Sequence, residues 1–499
     1  MGENGRLALS GRISTHPDEL LHEEVLKQQF DYELEHFLSH YIRIEKVLLL
    51  EYRSMNLIQE KEFREIAAVL EKITAESLTA DPKSNMSDIA FAIECFVNQR
   101  LSRPVPAWHV DRSRNDMQAC AQLMAGRKEL LELADHLFAF FDSIHRLASR
   151  TVDMPMPGYT HYQIAQVITP GYYLAALCES TLNVLNQLLH VYDGINHSPL
   201  GSGAMAGQEL EWDLGRMAER LGFDGPCRHA LMGVASRDWR LRIGAELSQY
   251  SLTLSRFVSD LMIWGSSGYQ MIDLPDELSG ISSAMPQKKN FPVLERIRGR
   301  TGHITAYYVD LAMGQRNTPY TNLVETSKEG GTHFTTLCET MRSVLRLFTA
   351  VVEGLTFKEK RMESICQEDF IGGFTLANTL TLQFQIPYRE AQVIVGKYIT
   401  AAMEQGLSPQ NPDAGLLAMI GKQAGYNIDM GKEAIQDCFD AKYNLYGKKS
   451  SNSAAPEAVN CLLKRQEQEI DEIYVCWEAH RERVEGAFRE LQAACLKGA

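Results

Sequence analysis

The 499-residue chain reads as an all-α protein, and three observations carry that reading. Leu254, Phe257, Val258 and Leu261 fall at i, i+3, i+4 and i+7, the spacing of one buried helix face. Val344, Leu347, Phe348, Val351 and Leu355 repeat the stripe, and Leu182, Leu185, Leu189 and Tyr192 give a sparser version. No series of short alternating runs with hairpin signals and no strand–helix–strand rhythm interrupts these stripes. Long apolar stripes of this kind build a helix bundle.

In chain order, three blocks follow. Residues 1–108 are helical segments that close at "LSRPVPAW", where two prolines punctuate the chain. Residues 109–358 hold the long apolar repeats and nearly all the unusual polar clusters. Residues 359–499 are helical again, beginning near "FKEKRMESICQEDF" and carrying a charged tail around "KRQEQEIDEI". The length exceeds what one core normally fills, so several domains are expected. With no low-complexity linker between them, close packing of those domains is expected too.

Composition excludes several functions. With 64 acidic and 50 basic side chains the net charge is −14, which argues against nucleic acid as a partner. A small anionic substrate remains compatible, because a local cationic pocket can outweigh the global field. The apolar stretch "GYYLAALCESTLNVLNQLLHVY" is broken by Glu179, Asn183 and Asn186, so no membrane partner is expected. The start, "MGENGRLALSGRIS", lacks the apolar core of a signal peptide, and Arg6 stands where myristoylation wants Ser or Thr. Ten singly scattered cysteines with no CxxC pair fit reduced thiols in a cytoplasmic protein.

Four polar clusters interrupt the helices: "HVDRSRND" (109–116), "GYTHYQ" (158–163), "GISSAMPQKKNFP" (280–292) and "PYTNLVETSK" (319–328). Each alone has a bland reading as a helix start, a turn or a surface loop. Together they gather hydrogen-bond donors and cations at densities suited to holding negative charge. The glycines of "GSGAMAG" (201–207) are not spaced for a dinucleotide, no P-loop is present, and His36 and His40 lack the glutamate of a zinc helix. No metal is expected.

The loop "GISSAMPQKKN" resembles the signature loop of the fumarase/aspartase superfamily, and its Gln-Lys-Lys form is most similar to argininosuccinate lyase. "MPGYTHYQIAQ", "SPLGSGAMAG", "RSRND" and "IPYREAQVIVG" resemble further motifs of that family, in order along nearly the whole chain. The resemblance implies a three-domain fumarase/aspartase-like fold whose central long-helix bundle is tetrameric, with each active site shared between three subunits. It implies reversible elimination of fumarate from an N-substituted aspartate, with neither metal nor organic cofactor. By the same resemblance Ser282 is the general base, His161 protonates the leaving nitrogen, Glu295 partners that histidine, and Lys288 supports the serine alkoxide. Ser113, Asn115, Thr160, Ser283, Met285 and Asn290 would bind the succinyl half, with Arg112 and Arg114 adding charge or orientation. Tyr320, Glu325 and Lys328 would face the amine. Such donors suit the extra charge of an aci-carboxylate, each typically worth about 3 kcal/mol in the transition state.

The sequence departs from the family at the amine end. Val110 and Asp111 replace a Thr-Gly pair, Ala90 stands for a histidine, Lys27 for a serine and Glu325 for a glutamine. "HALMGVASRDW" (229–239) and Asn290-Phe291-Pro292 also differ. Three readings follow: a lyase of this group whose amine is not arginine, argininosuccinate lyase itself, and a catalytically silent crystallin-like homologue.

Overall fold

The computed structural model describes residues 12–13, 15–368 and 370–497. Five long helices form the middle of the molecule: α1 Arg114–Arg150, α2 Pro170–Ile195, α3 Asp238–Gly265, α4 Pro292–Gln315 and α5 Phe334–Gly354. A sixth, α6 Pro456–Lys497, returns along the outside of α2 and α1. The helices alternate in direction, so the bundle has two distinct ends. At about 1.5 Å per residue, α1 alone spans roughly 55 Å.

Local signals set these helices. Ser113 caps α1 by accepting from the Asn115 N–H at 3.2 Å, and Thr169 caps α2 ahead of Pro170 at 2.9 Å from the Tyr172 N–H. The predicted stripes are inside: Leu254, Val258 and Leu261 of α3 and Val344, Phe348 and Val351 of α5 are buried in one continuous core. Such side chains are worth about 1.5–3 kcal/mol each when fully buried. Phe257, Leu347 and Leu189 of the same stripes, by contrast, pack only partly against that core.

The N-terminal helices sit at the end of the bundle where α1 begins. Their core is continuous with that of the bundle, and two buried carboxylates stitch the junction: Glu45 to Arg112, and Glu51 to Arg216 and Arg220. The last predicted block, 359–499, divides. Residues 376–439 close a core of their own, whereas Val459, Leu463, Ile473 and Trp477 of α6 belong to the main core. The physical reason is a helix 42 residues long, which reaches from the far end of the bundle back to Lys46 and Glu71.

Four two-stranded ribbons interrupt the helices, among the described residues. The longest pairs Met156–Thr160 with Gln163–Ile168, antiparallel, in a stretch where no hairpin was expected. Its turn is built from His161 and Tyr162, both in the left-handed region (φ 52° and 61°), where Asn-Gly or Asp-Gly is usual. No described helix is long and apolar enough to cross a membrane.

Candidate active site

At the end where α1 begins, the chain 109–116 meets the glycine loop 201–208. The Asn115 amide donates to the Ala204 carbonyl at 3.1 Å. Beside it, Asp116 accepts from the N–H groups of Gly201 and Gly203 at 2.9 and 3.0 Å. Burial pushes the Asp116 carboxyl up to about 7, against those donors and the Met117 N–H, which favour the anion. Asp111 sits at φ 57°, a conformation open to Asp more readily than to most residues. Its carboxylate accepts from the Glu209 and Leu210 N–H groups and from the Trp212 indole, at 2.8 to 3.1 Å. Burial opposes that charge, but the three donors together outweigh it and hold the carboxyl below its ordinary value. The departure from glycine at 111 therefore clamps the loop that the Asn115 amide touches.

The arginines of this cluster are committed. Arg112, expected among substrate-binding groups, is buried in an ion pair with Glu45; the low-dielectric interior demands that counter-charge, so its guanidinium orients the segment from within. Arg114 is exposed, bonded to Asp88 at 2.7 Å and lying over the Phe91 ring at 4.2 Å. Lys328 also comes to this end, 3.5 Å from the buried Glu33, while Tyr320 and Glu325 are exposed on the segment that follows α4.

The other expected residues stand at the opposite end. Thr160 and His161 occupy the exposed tip of the hairpin that follows α1. Ser282, Ser283, Met285 and Lys288 form the apex of a ribbon pairing Gly280–Ile281 with Lys289–Asn290. Here the Ser282 hydroxyl accepts from the Met285 N–H at 3.0 Å and the Ala284 N–H at 3.4 Å. Those two donors would also favour an alkoxide at that oxygen. Lys289 is tied to Asp273, Asp276 and the Leu274 carbonyl, which fixes the base of the ribbon. Among the described residues Lys288 makes no ion pair, so its charge is free for the apex. The Asn290 amide donates to the Ile281 carbonyl at 3.4 Å, and Glu295 is exposed in the first turn of α4. The apex stands in solvent, with Ile281 93% exposed.

The expected residues of one chain thus fall into two groups, separated by most of the length of α1. Sequence reasoning missed Asp111 and Asp116 as organisers of the first, although the cluster that contains them was noticed. It missed Glu33 and Glu45 altogether, since each is one acid in a charged helix and its partners lie 67 or more positions away.

The chain matches the model of a family described as lyase over residues 11–306. It is 29% identical to argininosuccinate lyase 1 of Shouchella clausii over 92% of this chain and 93% of that protein. It is 31% identical to the argininosuccinate lyase of Aquifex aeolicus over 80% of this chain and 86% of that one. Among solved structures, a variant of EDDS lyase with bound fumarate superposes with TM-score 0.84 at 22% identity, covering 98% of this chain and 97% of that one.

Proposed function

Since the chain belongs to the argininosuccinate lyase family and is a carbon–nitrogen lyase, we propose that it eliminates fumarate reversibly from an N-substituted aspartate whose amine is not arginine. The observation that carries this reading is the division of the expected groups between two exposed ends of the bundle. A neighbour packed antiparallel would bring Ser113 and Asn115 of one chain to Ser282 and His161 of others. Exposed Leu252 on α3, and Val309 and Met313 on α4, are apolar groups that such packing would cover. We therefore read the enzyme as a homotetramer whose sites are shared between three subunits.

In that site Ser282 removes the proton beside the succinyl carboxylate. The loop N–H groups and Lys288 stabilise its alkoxide. Asn115, Ser113, Thr160, Ser283, Met285 and Asn290 surround the diacid, and the charge that develops on its carboxylate falls on their donors. His161, oriented by Glu295, gives a proton to the departing nitrogen. Closure of the apex over substrate would exclude water.

The amine end supports a partner other than arginine. Glu325 offers charge where a neutral amide would read a guanidinium, and Lys27 is held by Asp31 at 2.5 Å. Sites that hydrogen-bond one polar group reject analogues lacking it by as much as about 10⁴-fold. The names of the relatives favour argininosuccinate itself as the second reading. Incubating the enzyme with fumarate and a panel of amines, arginine included, and identifying N-succinyl products by mass decides between them. Products with other amines support the proposal; rapid reaction with arginine alone overturns it. No product from any amine, with no fumarate released from argininosuccinate, would support the silent reading.

A further inference from the structure

Arg127, in the first half of α1, is a buried cation without a counter-charge. It is 1% exposed, and the side chains whose charge reaches it are Tyr192, Cys120 and Arg483, none of them a carboxylate. Burial accordingly pushes its pKa down. Two of its three nitrogens are used: Nη1 donates to Asn196 Oδ1 at 2.8 Å and Nη2 to the Leu221 carbonyl at 3.2 Å. The Phe223 ring lies 3.8 Å from its Cζ. Its Nε has no partner among the described residues.

Three more donors of the same neighbourhood are unpartnered: Asn196 Nδ2, the Tyr192 hydroxyl and Trp477 Nε1. All three side chains are at most 1% exposed. Tyr192 and Asn196 stand one turn apart at the end of α2, and Trp477 of α6 packs against Tyr192 with ring centroids 5.7 Å apart. The guanidinium only donates, so Asn196 must turn its oxygen to Arg127 and leave its NH₂ group free. Surrounding charge gives no relief. Arg483 adds a positive field at both Arg127 and Tyr192 and is itself paired with Asp224, while Asp193, which reaches Tyr192, is held by His480 at 2.9 Å. Buried donors left unmatched are costly. A water molecule accepts only about two hydrogen bonds and brings no charge. A small anion accepts from every donor and neutralises the guanidinium.

We propose that α1, α2 and α6 enclose a site for a single small monovalent anion such as chloride, held by Arg127 Nε, the Asn196 amide, the Tyr192 hydroxyl and the Trp477 indole. The site lies apart from the groups assigned to lyase chemistry and does not depend on that reading. From Asn196 the chain runs through His197 and Ser198 to Gly201 and Gly203, whose N–H groups Asp116 holds. The ion therefore braces the root of the glycine loop.

The test compares the melting temperature of the full-length enzyme in chloride and in gluconate at equal ionic strength, and locates bromide by anomalous scattering in crystals. Chloride is expected to raise the melting temperature saturably, by about 2 °C or more. Bromide is expected in contact with Arg127 Nε and Asn196 Nδ2. Tyr192→Phe removes one donor and keeps the ring, so halide affinity should fall by about tenfold. Its stability in gluconate should equal or exceed that of the native enzyme, because an orphaned donor is gone. Arg127→Met should abolish both the chloride response and the bromide peak. Equal melting temperatures of the native enzyme in the two salts overturn the inference, as does a bromide map with no peak at this place. A chloride response of native strength in Tyr192→Phe also overturns it, since the anion would then bind elsewhere. If Arg127→Met does not fold, Tyr192→Phe decides.

Discussion

At the residue scale, chemistry and scaffold separate cleanly. Among the described residues Ser282 hydrogen-bonds only within its own turn, so Ser282→Ala, which removes the proposed general base, should lower kcat by about 10²- to 10⁴-fold. Its melting temperature should stay near that of the native enzyme, and a large drop would mean the serine is structural. Asp111 behaves in the opposite way. Asp111→Ala strands the Glu209 and Leu210 N–H groups and the Trp212 indole, and should cost roughly 1–3 kcal/mol in urea titration. Because the folded carboxyl lies below its ordinary value, this stability is present above about pH 4 and is lost as pH falls further. A native enzyme whose acid unfolding matched that of Asp111→Ala would refute the clamp. The sequence displayed Ser282 openly, as a serine in a breaker-rich cationic loop. It hid the fate of Arg112, because nothing local distinguishes an arginine that meets substrate from one that meets Glu45 in the interior.

Helices were legible at the scale of elements because their stripes repeat over several turns. The ribbon 156–168 was not, because its turn uses His161 and Tyr162 in place of the usual glycine. That choice has a cost and a use. A left-handed histidine at an exposed tip is held out from the body of the protein, where another chain can reach it. His161→Asn, which tolerates the same backbone, should leave thermal stability within a few degrees while lowering kcat by about 10²-fold or more. Tyr162→Gly should instead stabilise the hairpin, by about 0.5–1 kcal/mol. A destabilised Tyr162→Gly would show that the exposed ring is packed in the assembled enzyme.

At the scale of the whole molecule, an up-and-down bundle about 55 Å long puts its first polar cluster at one end and its second at the other. The resemblance implied a site shared between subunits, and helix length supplies a physical reason, since it holds the two clusters apart within one chain. Assembly is therefore part of the proposed catalytic account. The direct measurement is to combine two inactive variants, Ser282→Ala and Asn115→Leu, by co-expression or by dissociation and reassembly, and to assay fumarate release. If each site draws these residues from different chains, random mixing regenerates roughly a quarter of native sites, and activity returns. Mixed assemblies no more active than either parent, together with an active monomer, would contradict the composite site.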